Sequence, residues 1–235
     1  MGKTKKKKGT KTQLEFIEKD VKFHVKPVKC LNEKQKEFIN SIKTKEISIC
    51  TGISGSGKTF LALWQALRLL EKKEYETLVL VKSVQTLPQE ETGFLPGDIQ
   101  DKMDPFMLSF YGNLDKLIGE ETRKYLVTTG KIKIQPLAYV RGINIDNSIV
   151  IIDEVQNLSI DTFKTIITRI GQNSKYIIMG DVEQIDLKNK NLSSLQKLMD
   201  LFQDDELIGT ISFTKDDCVR NPIIPHLLDK IKTIE

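Results

Sequence analysis

At 235 residues, 39% apolar and 29% charged, the chain has the length and composition of a soluble globular protein with one substantial core. No segment approaches the roughly 20 apolar residues of a membrane helix. The N-terminus also lacks the apolar stretch of a secretory signal, so a cytoplasmic protein with no membrane partner is expected.

The net charge of +4 is local. Lys3, Lys5, Lys6, Lys7, Lys8 and Lys11 stand in residues 1–12 without an acid, which leaves 30 of the 36 basic residues against 32 acidic ones elsewhere. That body lacks the globally basic signature common in nucleic-acid binders. The tail suits a phosphate backbone or an acidic surface, and equally a disordered, solubilising end. Residues 13–235 read as a single domain, with no internal repeat and no long linker. Cys30, Cys50 and Cys218 are odd in number, far apart and free of C-x-x-C spacing, and read as reduced core thiols. With only His24 and His226, no zinc site is expected.

In chain order, residues 14–27 read as extended or irregular, and Asn32 caps a helix to about Ile42. Ile47–Cys50 is a short strand, followed by a glycine loop and an apolar-periodic helix over Phe60–Leu70. Thr77–Val81 is a buried strand. An insertion over 83–131 contains Pro88, Pro96 and Pro105, with a helix from Asp98 to Ile118 interrupted near Pro105. Ile132–Gln135 alternates as a strand, and Ser148–Ile152 and Lys175–Met179 are apolar strands flanking an amphipathic helix over Ile160–Ile170. Leu207–Phe213 supplies a late strand and Pro222–Ile234 a closing helix. Buried strands alternating with helices predict an α/β fold, a mostly parallel sheet with helices on both faces.

Three constellations carry chemistry. The loop Gly52-Ile53-Ser54-Gly55-Ser56-Gly57-Lys58-Thr59 has the spacing G-x-x-x-x-G-K-[ST] between strand and helix, which lets backbone N–H groups wrap a phosphate. Lys58 would reach the β- and γ-phosphates, and the Thr59 hydroxyl would ligate Mg²⁺. Asp153-Glu154 closes an apolar strand: Asp153 would hold the Mg²⁺ shell, and Glu154 would polarise the attacking water. Gln184, in Gly180-Asp181-Val182-Glu183-Gln184 after the next strand, has a neutral amide suited to sensing a terminal phosphate. Five arginines stand against 31 lysines. Arg220 is the leading candidate for a finger or sensor of the transferring phosphoryl group, followed by Arg141 and Arg169.

These elements resemble the PhoH-like ATPases, relatives of the superfamily 1 helicase core, over roughly residues 31–230. Leu31-Asn32-Glu33-Lys34-Gln35 is similar to the Q motif, in which the glutamine, here Gln35, reads adenine. Asp153-Glu154-Val155-Gln156-Asn157 and Gly180–Gln184 resemble the family's Asp-Glu-Ala-Gln-Asn and Gly-Asp-x-x-Gln. Gly93–Asp98, Pro136–Gly142, Thr168–Gly171, Gln184–Asp186 and Phe213–Pro222 are similar to more diagnostic stretches. Lys82-Ser83 departs from the usual Arg-Pro, and Ser54 and Ser56 vary the loop filling.

The resemblance implies a RecA-like P-loop NTPase fold and an ATP hydrolase using ATP and Mg²⁺, acting on RNA or single-stranded DNA. The chain supplies one recombinase-like unit where a full helicase builds its ATP site between two. The missing face is therefore expected from a neighbouring subunit, in a homo-oligomeric ring that the resemblance implies is hexameric. A nuclease domain, found in some relatives, is not expected. The alternatives are a P-loop kinase and a nucleotide-switched binding protein without robust turnover. Removing residues 1–12 is expected to weaken nucleic-acid affinity and flatten its dependence on salt; an unchanged slope in a salt titration would leave the tail as a solubility device.

Overall fold

The protein is described by a computed structural model over residues 22–83, 99–140, 144–187 and 193–219, with 189, 191, 223, 226, 227 and 230. The basic tail, the Gly93–Asp98 stretch, Arg141, Arg220 and most of the expected closing helix lie outside the described residues.

Strands β1 (Ile47–Thr51), β2 (Thr77–Lys82), β3 (Ile132–Pro136), β4 (Ser148–Asp153), β5 (Lys175–Gly180) and β6 (Ile208–Ser212) form one sheet. Their order is β3-β2-β4-β5-β1-β6, and every neighbouring pair is parallel. The inner strands are apolar runs because both of their faces are covered, and their residues alternate between two cores. Cys50, Leu78, Leu80, Ile149, Ile151, Ile177 and Met179 enter one core with α1 (Glu33–Thr44), α2 (Lys58–Glu71), α3 (Ile99–Ile118) and α4 (Glu120–Thr128). Ile49, Val79, Val81, Val150, Ile152, Tyr176 and Ile178 enter the other. There they meet α5 (Leu137–Val140), α6 (Ile160–Ile167) and α7 (Leu195–Leu201). Burying each of these side chains contributes about 1.5–3 kcal/mol, so a one-residue register slip, which would exchange the two cores, is strongly disfavoured.

The Asn32 cap follows the sequence reading, and Ser159 is a second cap that the sequence reading did not name. The side-chain amide oxygen of Asn32 accepts from Gln35 N at 2.8 Å to start α1, and Ser159 Oγ accepts from Thr162 N at 3.3 Å to start α6.

Several expectations need correction. Helix α3 runs continuously past Pro105: a proline removes one backbone donor, and burial of Met107, Phe110, Leu114 and Leu117 anchors the turns that follow it. Helix α6 stops at Ile167 rather than Ile170. Beyond it the chain turns to pair with the segment before β4, Ile145 N donating to Arg169 O and Gly171 N to Ile145 O. Helices α4, α5 and α7 were not anticipated. Of the three thiols only Cys50 is in the core; Cys30 and Cys218 are half-buried. Among the described residues, no helix is long and apolar enough to cross a membrane.

Candidate functional site

Parallel strands deliver their carboxyl ends to one rim. β1 ends at Thr51, residues 52–57 form the glycine loop, and α2 begins at Lys58 with Gly57 as its N-cap. Gly52, Gly55 and Gly57 have φ of 147°, 91° and 87°, a region that side chains with a Cβ avoid. A Cβ on Gly52 would also stand 2.5 Å from the Phe213 Cβ. The loop is braced by Phe213 N to Thr51 O (2.8 Å) and Val219 N to Gly55 O (3.1 Å). Gln35 Nε2 donates to Ser56 O at 3.0 Å, and Ser56 Oγ to Ile53 O at 3.0 Å.

The Lys58 ammonium is folded back onto this loop and is nearly buried. It donates to Gly52 O, to Ile53 O at 2.9 Å and to Ser56 Oγ at 3.4 Å. These are dipoles rather than carboxylates, so a phosphate anion offers the ammonium stronger, charge-assisted partners. The positive end of α2 lies at the same place.

Across from the loop, Thr59 Oγ1 donates to Asp153 Oδ2 at 3.2 Å, and Glu154 N donates to Asp153 Oδ1 at 3.0 Å. Burial raises the Asp153 pKa above its ordinary value, and the Glu154 charge adds to this. The Glu154 backbone N–H, Lys82 and the Thr59 hydroxyl oppose the rise. A threonine hydroxyl and a carboxylate side by side are hard oxygen donors that fit Mg²⁺, which takes few protein ligands and keeps sites for phosphate and water.

Glu154 follows in the left-handed region, φ 62°, a conformation uncommon for a residue with a side chain. Its Oε2 accepts from Gln156 Nε2 at 2.7 Å, and its Oε1 lies 3.6 Å from Lys82 Nζ. Gln156 is fully buried and joins two strand ends. Its Nε2 also donates to Gln184 O at 3.1 Å, while its Oε1 accepts from Asp181 N at 3.0 Å. Close approach there requires Gly180, where a Cβ would collide with Gln156 Oε1. Asp181 is likewise raised by burial, against backbone N–H bonds and the Lys58 charge. Its Oδ2 accepts from Gln184 Nε2 at 2.9 Å.

Ser54, Gly55, Gly57, Lys58 and Thr59 of the loop line a cleft of about 470 Å³, together with Asp153, Glu154 and Gln184. Lys82, Asp181 and Val219 line it too, as do Ser109, Asn113 and Lys116 from α3. Gln35 stands behind the loop. Its carbonyl accepts from Leu31 N at 2.7 Å and its amide nitrogen holds Ser56 O, so its contacts are to backbone. Arg169 is not brought to the cleft: it sits beside Ile145 and Tyr176, at the amino ends of β4 and β5. Gln156 and the α3 residues were missed as site residues. Gln156 was visible as a polar residue three places after the strand-end Asp153, whereas nothing in the sequence says which face of α3 meets the cleft.

The strand order and the position of the loop make this a RecA-like P-loop fold, the architecture of nucleotide-binding ATPases. The large terminase of a thermophilic bacteriophage shares it, with a TM-score of 0.50 at 12% identity over 85% of this chain and 50% of that one. The chain belongs to the PhoH-like protein family, whose profile matches residues 27–232. It is 36% identical over 202 residues to a PhoH-like protein of Synechocystis, covering 86% of this chain and 61% of that protein. It is 34% identical over 204 residues to Protein PhoH of Escherichia coli, covering 86% and 57%. A PhoH-like protein of Bacillus subtilis is 31% identical over 229 residues, covering 95% and 72%. The chain thus spans about three fifths of the length of the first two relatives.

Because the folded-state pKa of Asp153 lies above its unfolded value, its contribution to stability is fully present below the unfolded pKa and is lost as pH rises through the folded one. Burial of Asp153 therefore costs the protein stability near neutral pH. Asp153→Asn should raise its melting temperature there by about 2–4 °C for each kcal/mol relieved, and the gap should close on acidification. Thermal melts across pH with no gap at neutrality would contradict this.

Proposed function

We propose that this protein binds ATP with Mg²⁺ at the carboxyl rim of its sheet and hydrolyses it, coupling turnover to the remodelling of RNA or single-stranded DNA. One observation carries the reading: the glycine loop, the Thr59–Asp153 pair and Glu154 line a single cleft. In this reading the backbone N–H groups from Gly52 to Thr59 enclose the phosphates, and Lys58 leaves the carbonyls of Gly52 and Ile53 for the β- and γ-oxygens. Thr59 and Asp153 hold the metal, which when bound supplies charge neutralisation at the phosphates. Glu154 orients and polarises water. Its contact with Lys82 keeps the carboxylate at the rim, and Gln156 fixes its other oxygen. Gln184, joined to Glu154 through Gln156, senses the terminal phosphate. Gln35 is assigned to adenine recognition by the family resemblance, and here it also supports the loop.

Arg220 serves as the finger on the transferring phosphoryl group, in a cytoplasmic ring, hexameric by the family resemblance, where a second subunit closes the open side of the cleft. Light scattering with ATP present tests this assembly: an active enzyme that remained monomeric would remove it. The chemistry is tested by phosphate release without an added acceptor, which also separates hydrolysis from kinase activity. Lys58→Ala should abolish release, while Glu154→Gln should keep ATP binding and lose turnover by on the order of 10²–10⁴-fold. Wild-type turnover in Glu154→Gln would overturn its role.

A further inference from the structure

Helix α3 divides its surface between two environments. Met107, Phe110, Leu114 and Leu117 are buried in the core shared with α2, and the Leu117 carbonyl accepts from Lys26 N at 3.0 Å. A different stripe of the same helix, Ser109, Asn113 and Lys116, lines the same cleft as Lys58, Thr59 and Asp153. Steps of four and three residues place these side chains on one face, one above the other.

The stripe is chemically idle within the chain. None of the three side chains has a hydrogen-bond or ion-pair partner among the described residues, whereas Thr59, Lys82, Glu154 and Gln184 in the same cleft are all engaged. All three can donate: a hydroxyl, a carboxamide and an ammonium. Charge completes the argument. Lys58 and Lys82 face Asp153, Glu154 and Asp181 in the lining, and Lys116 brings cations and acids to equality. A cleft with an excess of acid would repel a polyphosphate, so the third cation matters to its entry.

We propose that Ser109, Asn113 and Lys116 form a second set of donors for the terminal phosphate oxygens of the bound nucleotide, supplied in cis by the insertion. This rests on the ATP reading given above. The stripe lines the cleft that Lys58, Thr59 and Asp153 also line, and its hydroxyl, carboxamide and ammonium suit phosphate oxygens rather than the face of a base, which assigns it to the phosphates. Packed against α2, the helix that begins at Lys58, α3 positions this donor face relative to the loop.

Calorimetric binding of ATP and of ADP, each with Mg²⁺, to the wild-type protein and to Asn113→Ala, Lys116→Ala, Lys116→Arg and Lys116→Glu tests the proposal. Lys124→Ala, on the exposed surface of α4, is the control, and thermal melts confirm that each variant is folded. Lys116→Ala should weaken ATP by about tenfold or more, with a clearly smaller loss for ADP. Asn113→Ala should act in the same direction, Lys116→Arg should restore most of the affinity, and Lys116→Glu should lose more. ATP affinity within about twofold of wild type in Lys116→Ala, or equal losses for ATP and ADP, would overturn the stripe while leaving the ATP reading intact. A wild-type protein that binds neither nucleotide would overturn the ATP reading and the stripe with it. Loss of stimulation by RNA or single-stranded DNA with unchanged nucleotide affinity would reassign the stripe to a nucleic-acid backbone and so overturn it.

Discussion

The hydrogen-bond ladder that places β5 between β1 and β4 determines where the loop and the strand-end charges at the rim end up. Its register sets Thr51 level with Gly180, and Ile152 level with Ile178, while β2 brings Lys82 level with Asp153. The chain leaves each strand within a residue or two of that line. The loop, the Asp153–Glu154 pair and the Asp181–Gln184 turn are therefore neighbours without any long connection having to fold between them. The register is in turn held by the two apolar cores, because the side chains of every inner strand alternate between them.

Burial near the rim puts its charges in competition with solvent. Asp153 and Asp181 are both held above the ordinary carboxylate range by burial, and Lys58 meets loop carbonyls and a hydroxyl. In the proposed ATP reading, a phosphate would give Lys58 a charge-assisted partner and a divalent cation would offset the buried carboxylates. Gln156 has the opposite character: it is neutral, buried and saturated with partners on both strand ends. It ties the position of Glu154 to that of the Gln184 turn, so a shift at one strand end reaches the other through hydrogen bonds.

Much of this was legible in the sequence for physical reasons. The strands announced themselves because strands buried on both faces are continuous apolar runs, as in Ile149-Val150-Ile151-Ile152. The loop announced itself because its backbone geometry demands glycine at Gly52 and Gly57. Short helices such as α5 and α7 were not legible, since fewer than two or three turns leave little periodicity to read. Pro105 misled for a different reason: local preference predicted a break, and tertiary packing of the residues after it prevailed. The Lys116 stripe and Gln156 depend on which face of one element meets another, information that appears only after the sheet and helices are assembled. Within the loop reading, Gln35 proved to contact Ser56 O from behind, a brace that spacing alone does not reveal.

The central claim is that the Lys58 ammonium and the Thr59–Asp153 pair are the receiving groups for a magnesium–triphosphate. A structure determined with a non-hydrolysable ATP analogue and Mg²⁺ tests it most directly. The account predicts Lys58 turned from the Gly52 and Ile53 carbonyls onto phosphate oxygen, with the metal between the Thr59 hydroxyl and Asp153. A nucleotide bound elsewhere, with Lys58 still on the loop carbonyls and Thr59 still donating to Asp153, would contradict it.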